Sequence, residues 1–456
     1  MLYNKTIAAI STAYGKGGVA MIRISGDEAL NVALSVFKTT AKEIKPRYCY
    51  YGSILRDGDI IDDGTMTFFK GPNSYTGEDV CEICCHGGIY ATRAVLESVL
   101  SSGATLASAG EFTRRAYLNG KLTLSRAEAV GHVIDAKTDY QLRLSSSTAR
   151  GVLSDKISSI REKIISLITR SYATIDYPDE DITDNTREEM IDTLNCVYNE
   201  VLSLKRSYKA GRAVSEGIKT AIIGKPNAGK SSLYNLLLGE DVAIVTDIAG
   251  TTRDVIENTT SLGGVTLNIA DTAGIHDTSD VVEKIGVERA KGKIESSELL
   301  FCVFDSSTEE TDEDKLIIDS IGDKTAIAII NKSDTENKLS CEFEQKIKNS
   351  FENVIYMSTK DTDSREKLAE VVKNMYELGS IDISNDAVIS SARQFSSVSL
   401  ALESIIQAKE ALSLGETPDI VCFTLEKSLS ELDMIDARET SEEIVNEIFS
   451  RFCVGK

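Results

Sequence analysis

The sequence predicts a multidomain protein of the α/β and α classes, with an α+β N-terminal domain, a discontinuous helical domain and an α/β domain inserted into the helical one. Three observations predict this arrangement. Residues 1–120 contain short apolar runs separated by glycines, and residues 122–210 contain almost no glycine or proline. Residues 217–378 alternate short Val/Ile-rich strands with helical segments, which is typical of a parallel α/β sheet, and helical sequence resumes near Asn385.

Length and composition limit the class of protein. A chain of 456 residues accommodates two to four domains, and 42% hydrophobic with 27% charged residues is ordinary for a globular protein. No apolar run approaches the ~18–20 residues of a membrane helix, and the N-terminus lacks a secretory signal. We therefore expect a cytoplasmic protein without a membrane partner. The nine cysteines are odd in number and scattered, which favours reduced thiols over a disulfide framework.

The net charge of −21 lies entirely in the C-terminal half. Residues 216–456 carry 24 Lys/Arg and 45 Asp/Glu, whereas residues 1–215 are neutral overall. Because an acidic surface repels phosphate backbones, a nucleic-acid contact should use the N-terminal half or a local basic cluster such as that at residues 205–212. The alternative role of that cluster is a solvated helix face.

The elements follow in chain order. In the N-terminal domain, residues 1–120, an apolar run at 18–26 and an alternating run at 62–69 predict strands. The cluster Cys81, Cys84, Cys85 and His86 favours a strand of small residues over a metal site, because no second CxxC or distant His pair completes it.

The helical domain is predicted in two parts. The first, residues 121–215, has isoleucines at helical spacing and is interrupted near Pro178, because proline removes a backbone donor. The second, residues 379–456, ends in a Cys-Val-Gly-Lys motif. The inserted α/β domain occupies residues 216–378.

A strand at residues 221–224 is followed by GxxxxGKS and then by a helical pattern. This order predicts a P-loop, in which backbone N–H groups surround a β-phosphate at a helix N-terminus. Lys230 would reach the β/γ oxygens, and the Ser231 hydroxyl would coordinate Mg²⁺. The predicted phosphate-binding residues are Asn227, Ala228, Gly229, Lys230, Ser231 and Ser232.

Two further motifs in the expected order specify GTP. The segment Asp271, Thr272, Ala273 and Gly274 follows a strand, where a carboxylate reaches Mg²⁺ through water and a glycine N–H meets the γ-phosphate. Asn331, Lys332 and Asp334 follow another strand, and an aspartate there accepts N1–H and the exocyclic amine of guanine. Ser358, Thr359 and Lys360 resemble a base-contact loop, with threonine where alanine is common.

Two details concern the hydrolytic mechanism. Ile275 stands where many small GTPases have a glutamine that orients the attacking water. The candidates for that role are therefore the acidic residues downstream, Asp277, Asp280 and Glu283. Asn227, together with carbonyls of the loop 245–253, would form an oxygen cage for a monovalent cation, with an ordinary switch loop as the alternative.

Over its full length the sequence resembles the MnmE (TrmE) family of tRNA modification GTPases. The resemblance rests on the P-loop, on the DxxG motif and on the segments at residues 18–26, 71–79, 86–88, 110–116, 247–254 and 452–456. It implies a folate-binding N-terminal domain related to the aminomethyltransferase of glycine cleavage, and a Ras-like P-loop GTPase domain inserted into the helical domain.

The resemblance also implies partners and cofactors. Members form homodimers through the N-terminal domains and, with the flavoprotein MnmG, heterotetramers that add an aminomethyl or carboxymethylaminomethyl group to C5 of the wobble uridine of certain tRNAs. The one-carbon unit comes from 5,10-methylenetetrahydrofolate (or a 5-formyl analogue). Hydrolysis of GTP uses Mg²⁺ and K⁺, while FAD and NADH belong to the partner.

Residue roles carry over by position. The resemblance implies K⁺ ligation by Asn227 and the backbones of Thr246, Ile248 and Thr251, and Mg²⁺ ligation by Ser231 and Thr252. Glu283 falls on the catalytic acid, and Arg23, Glu82 and Lys121 fall on folate contacts. Cys453 would lie near the folate site, as a nucleophile or as a structural contact. The loop contacts to GTP would be Thr246, Asp247, Ile248, Ala249, Gly250, Thr251 and Thr252.

His276 departs from the family, whose members often carry arginine there. The alternative function is a ribosome-assembly GTPase that binds rRNA. It is disfavoured by the terminal CxGK motif, because assembly GTPases usually carry a recognisable RNA-binding domain. A membrane-associated G-protein switch is also disfavoured, since the sequence shows neither a lipidation signal nor a basic amphipathic helix.

Overall fold

The computed structural model describes residues 5–176, 187–239, 258–269, 292, 294–436, 448–450, 452 and 454–455. The chain divides into two compact units. Unit 1 comprises residues 1–131 and 433–456, and unit 2 comprises residues 132–432. The mixed α/β and helical content agrees with the predicted fold class. The four domain boundaries given above stay a prediction.

Unit 1 is built on a seven-stranded sheet in the order β3-β4-β5-β6-β2-β1-β7, counted over the described residues. All its pairings are antiparallel except β1 with β7. Its strands are β1 Ile7–Ile10, β2 Val19–Ser25, β3 Phe37–Thr39, β4 Cys49–Arg56, β5 Asp59–Phe69, β6 Val80–His86 and β7 Thr105–Leu106. Its helices are α1 Ala29–Val36, α2 Ile89–Ser101 and α3 Glu111–Leu118.

Side chains alternate across this sheet, so its two faces differ. Ile22, Ile24 and Ile83 point to one face, where they pack with residues of α1 and α2 in the main core. Ala9 points to the other face and packs with Phe112 of α3. The predicted strands at 18–26 and 62–69 correspond to β2 and β5.

The C-terminal residues of unit 1 pack beside the start of α3. Gly110 has a φ of 66°, and a Cβ there would lie 2.6 Å from the Phe449 carbonyl oxygen, so only glycine fits. The Phe452 ring packs on Gly131. Val454 forms an antiparallel bridge with Ala109. The C-terminal residues therefore pack against the segment that leads from β7 into α3.

In the part of unit 2 that the structure describes, six strands form a sheet in the order β13-β12-β11-β8-β10-β9. Its strands are β8 Ile218–Gly224, β9 Asn258–Leu262, β10 Val265–Ile269, β11 Leu299–Asp305, β12 Thr325–Asn331 and β13 Asn353–Tyr356. The helices around it are α8 Lys230–Leu238, α9 Asp312–Ser320, α10 Cys341–Ser350 and α11 Ser364–Met375. Apolar cores lie on both faces, one including residues of α8 and α11 and the other residues of α9 and α10. Such double coverage is typical of parallel sheets.

The long helices are α5 Asp139–Arg150, α6 Val152–Asp176, α7 Arg187–Ser215 and α12 Ala392–Leu414. Two more, α4 Leu124–Asp135 and α13 Pro418–Asp436, cross the boundary between the units in sequence. Helix α7 packs against α5, α6 and α12. The two predicted helical segments therefore meet on α7, with the sheet of unit 2 between them in the sequence. In the described part of the chain, no helix has the length and apolarity needed to cross a membrane.

Two sequence expectations differ from the structure. Helical sequence was expected from about Asn385, but α12 begins at Ala392. Ser391 accepts the Gln394 N–H and caps the helix, so the start is fixed by this capping box and not by hydrophobic spacing. The sheet of unit 2 was expected to be parallel, but β9 pairs antiparallel with β10 through the turn at Gly263 and Gly264.

Candidate functional site

The nucleotide motifs of unit 2 follow the carboxyl ends of parallel strands. Strand β8 ends at Gly224 and leads into the P-loop, while β12 and β13 end before the two base-contact loops. Strands β12 and β13 are direct neighbours, so their loops lie side by side. Ligands of open α/β sheets bind beyond the carboxyl ends of the strands. The three motifs therefore lie where one nucleotide can reach them.

The P-loop has the backbone that phosphate binding requires. Asn227 and Gly229 have φ values of 58° and 102°, and Gly229 caps the N-terminus of α8. These left-handed residues turn the chain sharply between β8 and α8. Lys230 and Ser231 begin α8, with the Ser231 side chain exposed, and the partial positive charge of a helix N-terminus favours an anion there.

Lys225 holds the P-loop from behind. Its ammonium donates to Asp314 Oδ2 of α9 at 2.9 Å and to the Glu309 carbonyl at 3.2 Å. Both Lys225 and Asp314 are buried, with 9% and 1% of their side chains exposed. The Lys225 carbonyl in turn accepts Lys230 Nζ at 2.8 Å. A buried ion pair therefore fixes the loop that carries the phosphate-binding lysine.

Asn331 joins the P-loop to a base-contact loop. Its side-chain NH₂ donates to the Ala228 carbonyl at 2.9 Å, and its Oδ1 accepts the Thr359 N–H at 3.1 Å. A Cβ at Gly229 would collide with this amide, so the glycine is needed for the contact. Asn331 is buried and serves to position both loops.

Asp334 presents the carboxylate predicted to bind guanine. A hydrogen bond from the Ser358 hydroxyl lowers the pKa of Asp334, and Lys360 Nζ lies 3.4 Å from its Oδ2. Thr359 lies between Ser358 and Lys360 in the sequence, and its backbone N–H donates to Asn331 Oδ1. The structure thus brings Asp334 together with the loop at residues 358–360, with an ionised carboxylate able to accept two guanine N–H groups.

Lys332 has a partner that the sequence did not suggest. Its ammonium lies 2.6 Å from Asp305 Oδ2 at the end of β11, and its φ is 63°. Burial opposes ionisation of Asp305, but hydrogen bonds from Lys332 and Ser307 outweigh it and lower the pKa of this carboxyl. The aspartate closing the apolar strand Leu299–Asp305 was the available signal for this contact.

The remaining nucleotide predictions lie outside the described residues. They are Thr246, Asp247, Ile248, Ala249, Gly250, Thr251, Thr252, Asp271, Thr272, Ala273 and Gly274, together with Glu283, its alternatives Asp277 and Asp280, and His276.

In unit 1 two of the predicted folate residues, Arg23 and Lys121, contact the loop at residues 71–77, and the third, Glu82, pairs with Arg23. Arg23 on β2 lies opposite Glu82 on β6, and both its Nε and its Nη2 lie 2.9 Å from Glu82 Oε1. The Arg23 guanidinium carbon is 5.5 Å from the centre of the Tyr75 ring and 5.8 Å from that of Phe112. This cation and carboxylate are therefore flanked by two aromatic rings on the face of the sheet that carries α3.

Lys121 reaches the same loop, residues 71–77, by donating to the Pro72 carbonyl at 2.9 Å. Arg115 binds the residue that follows this loop, Glu78. Arg115 is 2% exposed and binds Glu78 at 3.0 Å and Glu111 at 2.9 Å. Glu78 also accepts the Ser25 hydroxyl at 2.7 Å. The sequence reasoning missed Arg115, although it lies in the matched segment 110–116.

The C-terminus ends beside this region. The Ser11 hydroxyl, just beyond β1, donates to the Gly455 carbonyl at 2.9 Å, and Val454 pairs with Ala109 two residues before α3. Phe112 of α3 is the residue that contacts Arg23. Cys453 itself lies outside the described residues, between neighbours that are tied to unit 1.

The cysteine cluster forms a strand, as predicted. Cys81 and Cys85 point into the core of unit 1, and Cys84 points to the opposite face of β6. Three thiols that alternate across a sheet cannot converge on one ion. Burial raises the pKa of Cys81 to about 12 and that of Cys85 to about 11, so both remain thiols.

Comparisons with known proteins identify the family of the chain. A family model described as "GTP-binding protein TrmE N-terminus" matches residues 6–121, and one described as "MnmE helical domain" matches residues 124–453. The tRNA modification GTPase MnmE of Clostridioides difficile (strain 630) is 41% identical over the full length of both chains. This chain belongs to the MnmE family of tRNA modification GTPases. Another MnmE, from Thermoanaerobacter pseudethanolicus, is 39% identical over 99% of each chain.

Two solved GTPase structures are similar to part of this chain. Era of Aquifex aeolicus bound to GDP·AlF₄⁻ is 24% identical, covers 41% of this chain and 67% of its own, and has a TM-score of 0.26. The G domain of the T. maritima FeoB iron transporter is 24% identical, covers 35% of this chain and 98% of its own, and has a TM-score of 0.25. These scores are too low to support an argument, and the MnmE family assignment rests on the full-length matches.

Proposed function

We propose that this MnmE-family protein is a K⁺-stimulated GTPase that, with the flavoprotein MnmG, modifies C5 of the wobble uridine of certain tRNAs. The group added is aminomethyl or carboxymethylaminomethyl, and 5,10-methylenetetrahydrofolate or a related folate supplies the one-carbon unit. The observation that carries the GTPase proposal lies at the carboxyl ends of the unit 2 strands, where Asn331 joins the P-loop to the two loops that hold Asp334, Ser358 and Lys360. We further propose a cytoplasmic homodimer that assembles with MnmG into a heterotetramer.

The donor set of the P-loop fits a nucleoside triphosphate with Mg²⁺. The start of α8 offers backbone N–H groups and Lys230 for phosphate oxygens, and the exposed Ser231 hydroxyl is a suitable Mg²⁺ ligand. Bound Mg²⁺ would neutralise charge on the phosphate oxygens. Asp334 selects guanine, because adenine does not present a paired N1–H and exocyclic amine to a carboxylate.

Glu283 is proposed to act on the attacking water, since Ile275 cannot orient it. Replacing Glu283 by alanine should lower kcat by ~10²-fold or more while GTP affinity changes little, as expected for a general acid/base group. Single-turnover hydrolysis and equilibrium GTP binding separate the two effects. Unchanged turnover would reassign the role to Asp277 or Asp280, whose alanine variants are the matched comparisons.

Asn227 is proposed as a K⁺ ligand. It is exposed in the P-loop with a left-handed backbone, and an amide oxygen is a suitable ligand for a monovalent cation. GTP hydrolysis should therefore be faster in KCl than in NaCl at equal ionic strength, and Asn227→Ala should bring the ratio of the two rates close to one. Asn235→Ala, on the exposed side of α8, is the control and should keep the ratio. Equal wild-type rates in both salts would refute the K⁺ proposal.

The folate proposal rests on the residues around loop 71–77. A pterin presents adjacent N–H donors that the Glu82 carboxylate can accept, its ring can stack on Tyr75, and the carboxylates of its tail can bind Lys121. Cys453 is proposed to serve the one-carbon step or to hold the folate region together.

Comparison of wobble-uridine nucleosides by mass spectrometry, in cells with and without the gene, tests the proposed function. We expect the modified uridines to disappear without the protein and to return when it is restored. Normal nucleosides together with a defect in ribosomal subunits would instead support the assembly-factor alternative, which the full-length MnmE matches disfavour.

A further inference from the structure

The loop before β4 in unit 1 carries an excess of positive charge. Within residues 38–51 there are four Lys/Arg and one carboxylate, Glu43. Lys42, Lys45 and Arg47 are all exposed, and so is Lys70 beyond the end of β5. None of these four cations has a carboxylate within 4.0 Å among the residues that the structure describes. The charge is therefore available to a ligand.

Backbone and side-chain contacts hold Lys45 and Arg47 beside the end of β5, close to Lys70, and Lys42 precedes Lys45 by three residues in the same loop. The Arg47 N–H donates to the Phe68 carbonyl at 2.7 Å, two residues before Lys70, and the Arg47 guanidinium donates to the Asn73 carbonyl at 3.3 Å. The Lys45 N–H donates to the Tyr50 hydroxyl at 2.7 Å. We refer to Lys42, Lys45, Arg47 and Lys70 as the basic patch. It is held in place by the fold before any ligand binds.

Aromatic side chains accompany the basic patch. Tyr48 is 61% exposed and Tyr51 is 70% exposed, whereas the hydroxyl of Tyr50, between them, is used to hold the loop. Exposed aromatic rings beside cations are typical of surfaces that bind RNA, because unpaired bases stack on the rings while phosphates bind the cations.

The basic cluster that the sequence suggested, at residues 205–212, is less available to a polyanion, because half of its cations have carboxylate partners. Arg212 is paired with Glu298 at 2.6 Å and with Glu216 at 3.2 Å, and Lys209 lies 3.6 Å from Glu377. Carboxylates of unit 2 therefore compensate two of its four cations, and a third, Lys205, lies 5.7 Å from the centre of the Phe395 ring. In a chain of net charge −21, a polyanion needs an uncompensated cationic surface, and the basic patch provides one.

We propose that the basic patch binds the phosphate backbone of the substrate tRNA and that Tyr48 stacks on one of its unpaired bases. This inference rests on the proposed tRNA function and deepens it by naming the RNA-binding surface. None of these residues belongs to the predicted GTP or folate sites, so tRNA binding should be separable from GTP hydrolysis.

The test uses the full-length chain and a fluorescein-labelled, unmodified tRNA transcript with a wobble uridine. The variant Lys42→Gln/Lys45→Gln/Arg47→Gln should weaken binding at least tenfold near 150 mM salt. It should also reduce the slope of log Kd against log salt by about 2–3, since each phosphate contact contributes ~0.7–0.9. Tyr48→Ala should weaken binding about tenfold, and Tyr48→Phe should restore it.

The matched control is Lys315→Gln/Lys346→Gln/Lys367→Gln, three exposed lysines of unit 2 whose replacement changes the net charge equally. It should leave the Kd within twofold, and GTP hydrolysis should be unchanged in both triple variants. Circular dichroism verifies that each variant is folded.

Equal loss of affinity in both triple variants would overturn the basic patch, because only total charge would matter. Unchanged tRNA binding together with an altered sedimentation coefficient would also overturn it, by showing that the surface contacts a second copy of the chain. A wild-type protein that neither binds tRNA nor affects wobble nucleosides would refute the proposed function itself. Loss of binding confined to the patch variants supports the inference.

Discussion

At the scale of single residues, Lys225 lies inside the P-loop motif, but its side chain stabilises the loop by binding another part of the protein. Its ammonium is buried and donates to Asp314 of α9. The same Asp314 oxygen accepts the N–H and hydroxyl of Thr311, both at 2.9 Å, at the start of α9. One carboxylate therefore orders the P-loop and a neighbouring helix together.

Removing this ammonium should loosen the P-loop. Lys225→Met leaves Asp314 buried without its cation, which typically costs ~3–5 kcal/mol. We expect the free energy of local opening, measured by amide hydrogen exchange at Leu233 in nucleotide-free protein, to fall by about 3 kcal/mol. Lys225→Arg should retain most of it.

Lys315→Met is the matched control. Lys315 pairs with Asp312 at 3.0 Å on the surface of α9, where the side chains are 51% and 95% exposed, and such pairs contribute ~0–1 kcal/mol. A similar loss in the two methionine variants would contradict the anchoring role of Lys225.

At the scale of elements, His86 joins two adjacent strands of unit 1. Its Nδ1 lies 2.6 Å from Asp62 Oδ1, and its backbone N–H donates to Asp62 Oδ2 at 2.9 Å. The hydrogen bond and the charge of Asp62 raise the pKa of His86 above 6.5. Partial burial opposes ionisation of Asp62, but the bonds from His86 outweigh it and lower the pKa of Asp62 below 3.8.

The sign of the pH dependence follows from these directions. Because the pKa of His86 is raised in the folded state, its contribution to stability is complete below about pH 6.5 and disappears as pH rises through the folded value. Because the pKa of Asp62 is lowered, its contribution is lost as pH falls below about 3.8. The pair therefore stabilises the β5–β6 ladder most between these limits.

Proton NMR titration of His86 tests the pair. In Asp62→Asn the pKa of His86 should return toward 6.5, because the imidazolium loses its carboxylate partner. In Asp63→Asn it should change much less, since Asp63 acts on His86 only through space. A His86 pKa that is the same in Asp62→Asn and in the wild type would refute the pairing.

Elements were predictable where the signal is local. Strand β8 with its P-loop and strand β6 with its alternating cysteines follow from spacing alone. Strand β9 was missed because it pairs with β10 at the sheet edge, and its polar sequence, Asn-Thr-Thr-Ser-Leu, lacks the apolar run of a central strand.

At the scale of the whole molecule, the two candidate sites lie in different units, so their chemistries should be separable. If Cys453 serves the one-carbon step, Cys453→Ser should abolish wobble-uridine modification while kcat for GTP hydrolysis stays within about twofold. Nucleoside mass spectrometry and phosphate release measure the two activities.

Cys302→Ser is not a suitable control, because Cys302 is fully buried in β11. Cys341, exposed at the start of α10, provides one, and Cys341→Ser should leave both activities unchanged. Normal modification by Cys453→Ser would defeat the proposed role. Loss of both activities would mean that the terminal segment is structural.

The sequence alone determined the motifs, their order and the fold class, because these depend on residue types at fixed spacing along the chain. It also predicted the P-loop and the base-contact loops, whose geometry follows from the strands that precede them. Only the tertiary structure decided which side chains meet across the fold. Asn331 reaches Ala228, Arg115 reaches Glu78, and the chain end reaches Ser11. The physical reason is that contacts between residues distant in sequence depend on strand register and helix packing, which spacing does not encode.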